Sequence, residues 1–215
     1  MAQHAEFQLV AGHPTLDFVN TVDWRWDPLR RRWDPLQRED RLDGFEDLVS
    51  WARQAAILTV AEARALSATA RRDARSASRA LQRARRLREA LGRILEAAGS
   101  DQRPTARDLR RLNAFLGAAV RRRRLELRGD RYDWTWIASD DRPLDAFLAP
   151  IVLAAAELLT SPKRSRIRAC AAEDCGWLFL DTSRSGRRRW CSMQSCGNRA
   201  KARRFYARST APRGA

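Results

Sequence analysis

The placement of the cysteines constrains this chain more than any other feature. All four, Cys170, Cys175, Cys191 and Cys196, fall within 27 residues of a 215-residue sequence. They form two C-x4-C pairs separated by 15 residues. Two close pairs with a hairpin-length spacer fit a tetrahedral zinc ion, because each pair supplies two thiolates and the spacer folds back to join them. The only histidines, His4 and His13, are remote, so four thiolates are the expected shell. Such a shell leaves no open position for water, so one structural Zn2+ is expected rather than a catalytic one. Two disulfides or four free thiols are the alternatives.

The spacer, "GWLFLDTSRSGRRRW", predicts a strand over 177–181, a turn over 183–186 and a returning strand over 187–190. A helix is expected from about Gly197. Knuckle, hairpin and then a ligand at a helix start is the layout of a treble-clef finger. Trp177, Phe179, Trp190 and Phe205 are expected to form the small core of this unit.

Charge is distributed unevenly. The net charge is +16, and Arg outnumbers Lys 40 to 2. Residues 1–162 carry +5 of it and residues 163–215 carry +11. A high-GC genome would explain arginine replacing lysine, but not the scarcity of acids in the last quarter. A polyanionic partner is implied, nucleic acid before membrane. Four thiolates on one dication subtract about two charges, which leaves the loaded chain near +14 and still strongly basic.

The rest of the chain reads as mainly helical. "EFQLVAG" reads as a short strand, and "HPTLDFVNTV" as a helix with Pro14 in its first turn. The segment 23–40 holds WDPL twice, and its Asp-Pro pairs predict a loop. Trp24, Trp26 and Trp33 in it could instead line a pocket. In "DGFEDLVSWARQAAIL", Phe45, Leu48, Val49, Ala52 and Ala56 share a helical face. Thr59 and Glu62 have capping-box spacing. Leu81, Ala84, Leu87, Leu91, Ile94 and Leu95 form the stripe of a long helix that stops at Gly99, with its arginines largely on a solvated face. Another helix starts near Thr105 and Asp108. The period then changes to two, and Leu125/Leu127 and Tyr132/Trp134/Trp136 flank Gly129-Asp130 as a β-hairpin. The apolar stretch 143–161 carries Asp145 and Glu157, so it reads as a buried helix rather than a membrane span. Residues 160–166 read as a linker. The expected fold class is therefore α+β: a mainly helical domain over 1–160 with a small β-hairpin, then the four-cysteine finger with its basic helix and tail over 161–215. No signal peptide is read at the N-terminus, and clustered thiols suit the cytoplasm.

The segment "CAAEDCGWLFLDTSRSGRRRWCSMQSCGNRAKARRFYAR" resembles the CGNR zinc finger, named for the tetrad Cys196-Gly197-Asn198-Arg199. "GHPTLDFVNT" (12–21) resembles the opening motif of the ABATE domain, which precedes that finger in the same family. The resemblance implies a stress-induced transcription regulator with a DNA-binding finger and with the four cysteines as zinc ligands.

Candidate roles follow. Gly197 suits a turn that would strain another residue. Asn198 is placed to cap the following helix. Arg199 has two readings, a phosphate contact or a donor to carbonyls inside the finger. The nucleic-acid candidates are Arg187, Arg188, Arg189, Arg199, Lys201, Arg203, Arg204 and Arg208. If six of them neutralise phosphates, affinity falls with salt by a log–log slope of roughly −5. His13, Asp17 and Asn20 share a helical face and either line a ligand pocket or bond within the domain. No P-loop, dinucleotide fingerprint, HExxH or catalytic triad is legible, so the chain is not expected to be an enzyme. The leading reading is a regulator of duplex DNA, with an effector-sensing or dimerising domain and a homodimer as the assembly. RNA binding, or a small-molecule site or enzyme with the finger as scaffold, are the alternatives.

Overall fold

The computed structural model describes residues 6–27, 32–136 and 144–209, with backbone only for 23–27, 32–38 and 207–209. A 26-residue helix, α4 (Ala74–Gly99), is the central post. Its stripe Leu81, Ala84, Leu87, Leu91, Ile94 and Leu95 is buried as the period-3.6 pattern requires. Around it pack α1 (Pro14–Val19), α2 (Phe45–Gln54), α3 (Val60–Arg72), α5 (Ala106–Arg121) and α6 (Ala149–Thr160). Pro14 occupies the first turn of α1, Thr59 and Glu62 close a capping box on α3, and the Thr105 hydroxyl accepts from Asp108 N–H at the start of α5. The chain is α+β, and the described residues include three two-stranded antiparallel sheets beside the helices.

Several local expectations change. "EFQLVAG" forms no strand; Phe7 and Ala11 are buried in an irregular segment. The expected loop at 23–40 contains paired strands, β1 (Val22–Asp27) and β2 (Arg32–Asp40). Pro35 lies between the pairings Arg25↔Asp34 and Asp23↔Glu39, where the register shifts. An irregular stretch needs no ladder N–H there, so proline does not break the pairing. The side chains of Trp24, Trp26 and Trp33 fall outside the described residues. Helix α2 ends at Gln54, so Ala56 is not on its apolar face; it takes a positive φ of 56° and is exposed.

The hairpin is present as β3 (Arg123–Arg128) and β4 (Arg131–Trp136), with Leu125 opposite Trp134 and Leu127 opposite Tyr132. After α6, the stretch expected as a linker is a 3-10 turn (Pro162–Arg166) that runs straight into β5 (Ile167–Ala169). β5 packs on α4 and pairs with β6 (Leu178–Leu180). Gly99 ends α4 at this crossing: a Cβ on it would sit 2.7 Å from the Ile167 carbonyl oxygen. Ile167, Phe179 and the cysteines join one buried cluster with Leu16, Trp51 and Leu91. The core thus runs unbroken from the helices into the cysteine segment.

One arginine leaves the solvated face of α4. Arg88 is buried, donating to Asp40 at 2.6 and 2.7 Å and to the Thr21 hydroxyl at 3.0 Å. Burial opposes charge on Asp40, but the bonds from Arg88 outweigh it and hold the carboxyl below its ordinary range.

Candidate metal centre and basic surface

The four cysteine Sγ atoms lie within 4.8 Å of one another, and all four residues are buried. Cys191 Sγ is 3.6 Å from Cys196 Sγ and 3.8 Å from Cys175 Sγ. A tetrahedron with Zn–S bonds of about 2.3 Å has edges of about 3.8 Å, so the donor set matches such an ion in type and size. No disulfide joins them. Without a metal these thiols compete for protons. Donation from Cys175 and Cys191 pulls Cys170 far below the ordinary thiol range, and the same contacts, with burial, push Cys175 and Cys191 up. A dication that replaces the shared protons lets all four ionise together. A cleft of about 260 Å³ lined by Glu39, Arg41, Asp174 and Arg199 also borders Cys175, Cys191 and Cys196.

The backbone builds this cage locally. Cys170 N–H donates to Trp177 O and Cys175 N–H to Ala172 O, closing the first knuckle. The expected returning strand is absent. Residues 187–190 run as irregular chain, held by Ala171 N–H donating to Arg189 O at 2.8 Å, because β6 pairs with β5 along one edge and gives its other edge to Ala11 and Asn20. Gly186 makes the turn at φ +64°. Asp181, fully buried, organises it by accepting from Ser183 N–H, Ser183 Oγ and Arg188 N–H. Those bonds, the Ser183 hydroxyl's first, hold its carboxyl below the usual range. The Asp-x-Ser spacing was a turn signal that could have found it.

Cys196 sits in a single π turn (Met193–Gly197) that leads into α7 (Asn198–Ser209). The tetrad residues act differently from expectation. Gly197 does not make a left-handed turn; it lies against the Met193 side chain, a flexible and partly exposed group that a Cβ would push aside. Asn198 does not cap by accepting an N–H; its Nδ2 donates to Gln194 O. Among the described residues Arg199 is not seen donating to a finger carbonyl; it donates to Cys196 Sγ at 3.2 Å and pairs with Asp174. A cation beside a thiolate ligand orients it and stabilises its charge.

The basic candidates separate into two groups. Arg188 is turned inward, over the Phe179 ring and donating to the carbonyls of Val10, Trp190 and Cys191. Arg203 pairs with Asp174 at 2.8 Å and with Glu173. The three acids of residues 163–215, Glu173, Asp174 and Asp181, are thus all spent inside the finger. Arg187, Arg189, Lys201 and Arg204 are exposed with no acidic partner among the described residues, Arg189 lying over Trp190. The Arg208 side chain lies outside the described residues. Trp177 and Phe179 are buried as finger core and Trp190 is partly so, but Phe205 is 69% exposed, because α7 packs on little beyond its own π turn.

His13, Asp17 and Asn20 serve the backbone. His13 Nδ1 accepts from Thr15 N–H as the cap of α1, and Asp17 Oδ1 accepts from Ala11 N–H at 2.9 Å. Burial pushes the Asp17 carboxyl up to about 6. Asn20 pairs with Leu178 like a strand residue, Nδ2 donating to its carbonyl at 2.8 Å and Oδ1 accepting its N–H at 3.0 Å. Ala11 O accepts from Leu180 N–H, and Gly12 bends past Leu180 with φ +75°. The segment 11–20 therefore seats β6 against the helical body. A separate cavity of about 260 Å³ lies between α5 and α6, lined by Phe115, Ala119, Arg122, Ala149 and Val152.

Two family models match the chain. Residues 12–162 match ABATE, described as "putative stress-induced transcription regulator". Residues 166–209 match the CGNR zinc finger. The two stretches meet at the 3-10 turn. No curated protein matches the chain. No helix among the described residues is long and apolar enough to cross a membrane.

Proposed function

This chain belongs to the ABATE family and ends in a CGNR zinc finger, and from that premise we propose that it is a zinc-dependent regulator whose finger binds duplex DNA. One Zn2+ holds Cys170, Cys175, Cys191 and Cys196 and fixes the root of α7. The ion is structural, and the proposal involves no catalytic step. A reducing compartment, the cytoplasm, keeps the four thiols available.

The observation that carries this reading is the state of α7. It projects from the metal cage with 201–206 all exposed, and these are mainly polar apart from the aromatic pair Phe205 and Tyr206. A helix this short and polar gains little stability from itself. It is held by the cage at one end and extends about 18 Å, the reach of a helix laid in a major groove, with Lys201 and Arg204 as its uncommitted cations among the described side chains. Lys201 and Arg204 share a face, and Arg187 and Arg189 lie on the chain leading into the cage. Arg188, Arg199 and Arg203 maintain the finger instead. Four phosphate contacts in place of six lower the expected salt slope to roughly −3.6.

The test is a salt titration of the metal-loaded full chain on a fluorescent duplex. The expected slope lies near that value. Lys201→Gln with Arg204→Gln should reduce it by about two while leaving the metal content unchanged. A salt-independent affinity, or none, would sink the proposal. A structured RNA that outcompetes the duplex would transfer the same surface to RNA.

A further inference from the structure

Among the described residues, the strands of the β3–β4 hairpin make extensive contact only with each other. Its two faces differ. One carries Arg124, Glu126, Arg128, Arg131 and Asp133, which are paired among themselves: Arg124 and Arg128 with Glu126, and Arg131 with Asp133. That face is complete in water. The other carries Leu125, Leu127, Tyr132, Trp134 and Trp136, which are 52, 60, 69, 59 and 38% exposed. Arg123 is the one charge there, and its guanidinium already lies 4.2 Å over the Trp134 ring.

Alternation of this kind normally marks a sheet with one face on a core, yet among the described residues no core lies beneath the apolar face. The exposed patch is on the order of 500 Å², taking about 150–250 Å² for a whole aromatic side chain. A contiguous apolar patch of this size matches the largest that a typical monomer shows, and such patches are often functional. An isolated two-stranded hairpin is also marginally stable, so this one gains from being covered.

We propose that this face is a dimerisation surface, covered by the same face of a second copy of the chain. Two such patches bury about 1,000 Å², the size at which a specific interface begins. A two-fold contact places the same patch on both sides, so it needs no separate complementary surface. The chemistry favours a second copy over unstacked nucleic-acid bases. Leu125 and Leu127 stand directly opposite the aromatic rings and make a mixed aliphatic–aromatic surface suited to dry packing. A strand of nucleic acid would need several cations along this face, and the one present is already stacked. The inference is independent of what the finger binds. Where both hold, the dimer carries two fingers.

The test is sedimentation of the metal-loaded full chain from about 1 to 100 µM, a range that brackets micromolar affinity. A monomer–dimer equilibrium is expected. Leu127→Glu places a charge on both sides of the two-fold contact and should weaken dimerisation on the order of a hundredfold or more. Glu126→Gln, on the opposite face, should leave it unchanged. Circular dichroism and metal content would confirm that both variants fold. A benzophenone side chain at position 127 should crosslink two copies on illumination, whereas one at position 126 should not, which reads the contact directly if Leu127→Glu melts the hairpin. A chain monomeric throughout the range, or a dimer indifferent to Leu127→Glu, would overturn the proposal. So would a monomer whose tryptophan fluorescence is quenched by a single-stranded oligothymidylate, because the face would then belong to bases.

Discussion

Asn20 shows how much one side chain can decide. Its amide satisfies both the N–H and the carbonyl of Leu178, 158 residues away, at a buried position. Asn20→Ala leaves two buried backbone groups unpaired and should destabilise the chain by about 2–4 kcal/mol in urea unfolding. A change under about 0.5 kcal/mol would mean that β6 is seated by other contacts. The sequence placed Asn20 on one face with His13 and Asp17, and helical spacing supports that much. It could not reveal the partner, because the recipient is a backbone group with no side-chain signature. The same limit applies to Arg199. Its tetrad position was visible, but its choice of a sulfur and Asp174 depends on where the Cys170–Cys175 knuckle turns.

Among the elements, two helical glycines contrast usefully. Gly99 ends α4 where β5 crosses it, and any Cβ there meets the Ile167 carbonyl oxygen, which is backbone and cannot step aside. Gly99→Ala should therefore cost about 1–3 kcal/mol despite alanine's better helix propensity. Gly117 in α5 faces only the guanidinium of Arg121 at 3.4 Å, a flexible end. Gly117→Ala should be neutral or stabilise by up to about 1 kcal/mol. Thermal unfolding of the pair checks both signs, and equal effects would refute the close approach at α4. Caps, the long stripe of α4 and the β3–β4 turn were legible because each is a pattern of neighbours within a few residues. The pairing of β5 with β6 was not. Ile167–Ala169 is only three residues long, and its partner is chosen by the packing of both strands on α4 and α1. The strands within 23–40 were obscured by Asp-Pro pairs; at Asp34-Pro35 the breaking effect is lost because the ladder is irregular there.

Across the whole molecule, the buried cluster joins Trp51 and Leu91 to Phe179 and the cysteines. Metal removal should therefore be felt far from the ion. Chelation is expected to lower the midpoint of the entire chain by at least about 10 °C, since a structural ion supplies several kcal/mol and each is worth roughly 2–4 °C at this size. The near-ultraviolet signal of the buried tryptophans should change in the same transition. An upper transition unmoved by chelation would show that the helical part stands without the finger.

The sequence by itself determined what is local in the chain: the four-thiolate donor set, the helix caps, the turn at Gly129-Asp130 and the excess of positive charge in the last quarter. Each depends on residue type and short spacing alone. The tertiary structure alone decided which arginines remain available, which face of the hairpin is left uncovered, and how segment 11–20 grips β6. Those depend on contacts between residues far apart in the chain, where burial and the choice of hydrogen-bond partner are set by the packing of the whole fold.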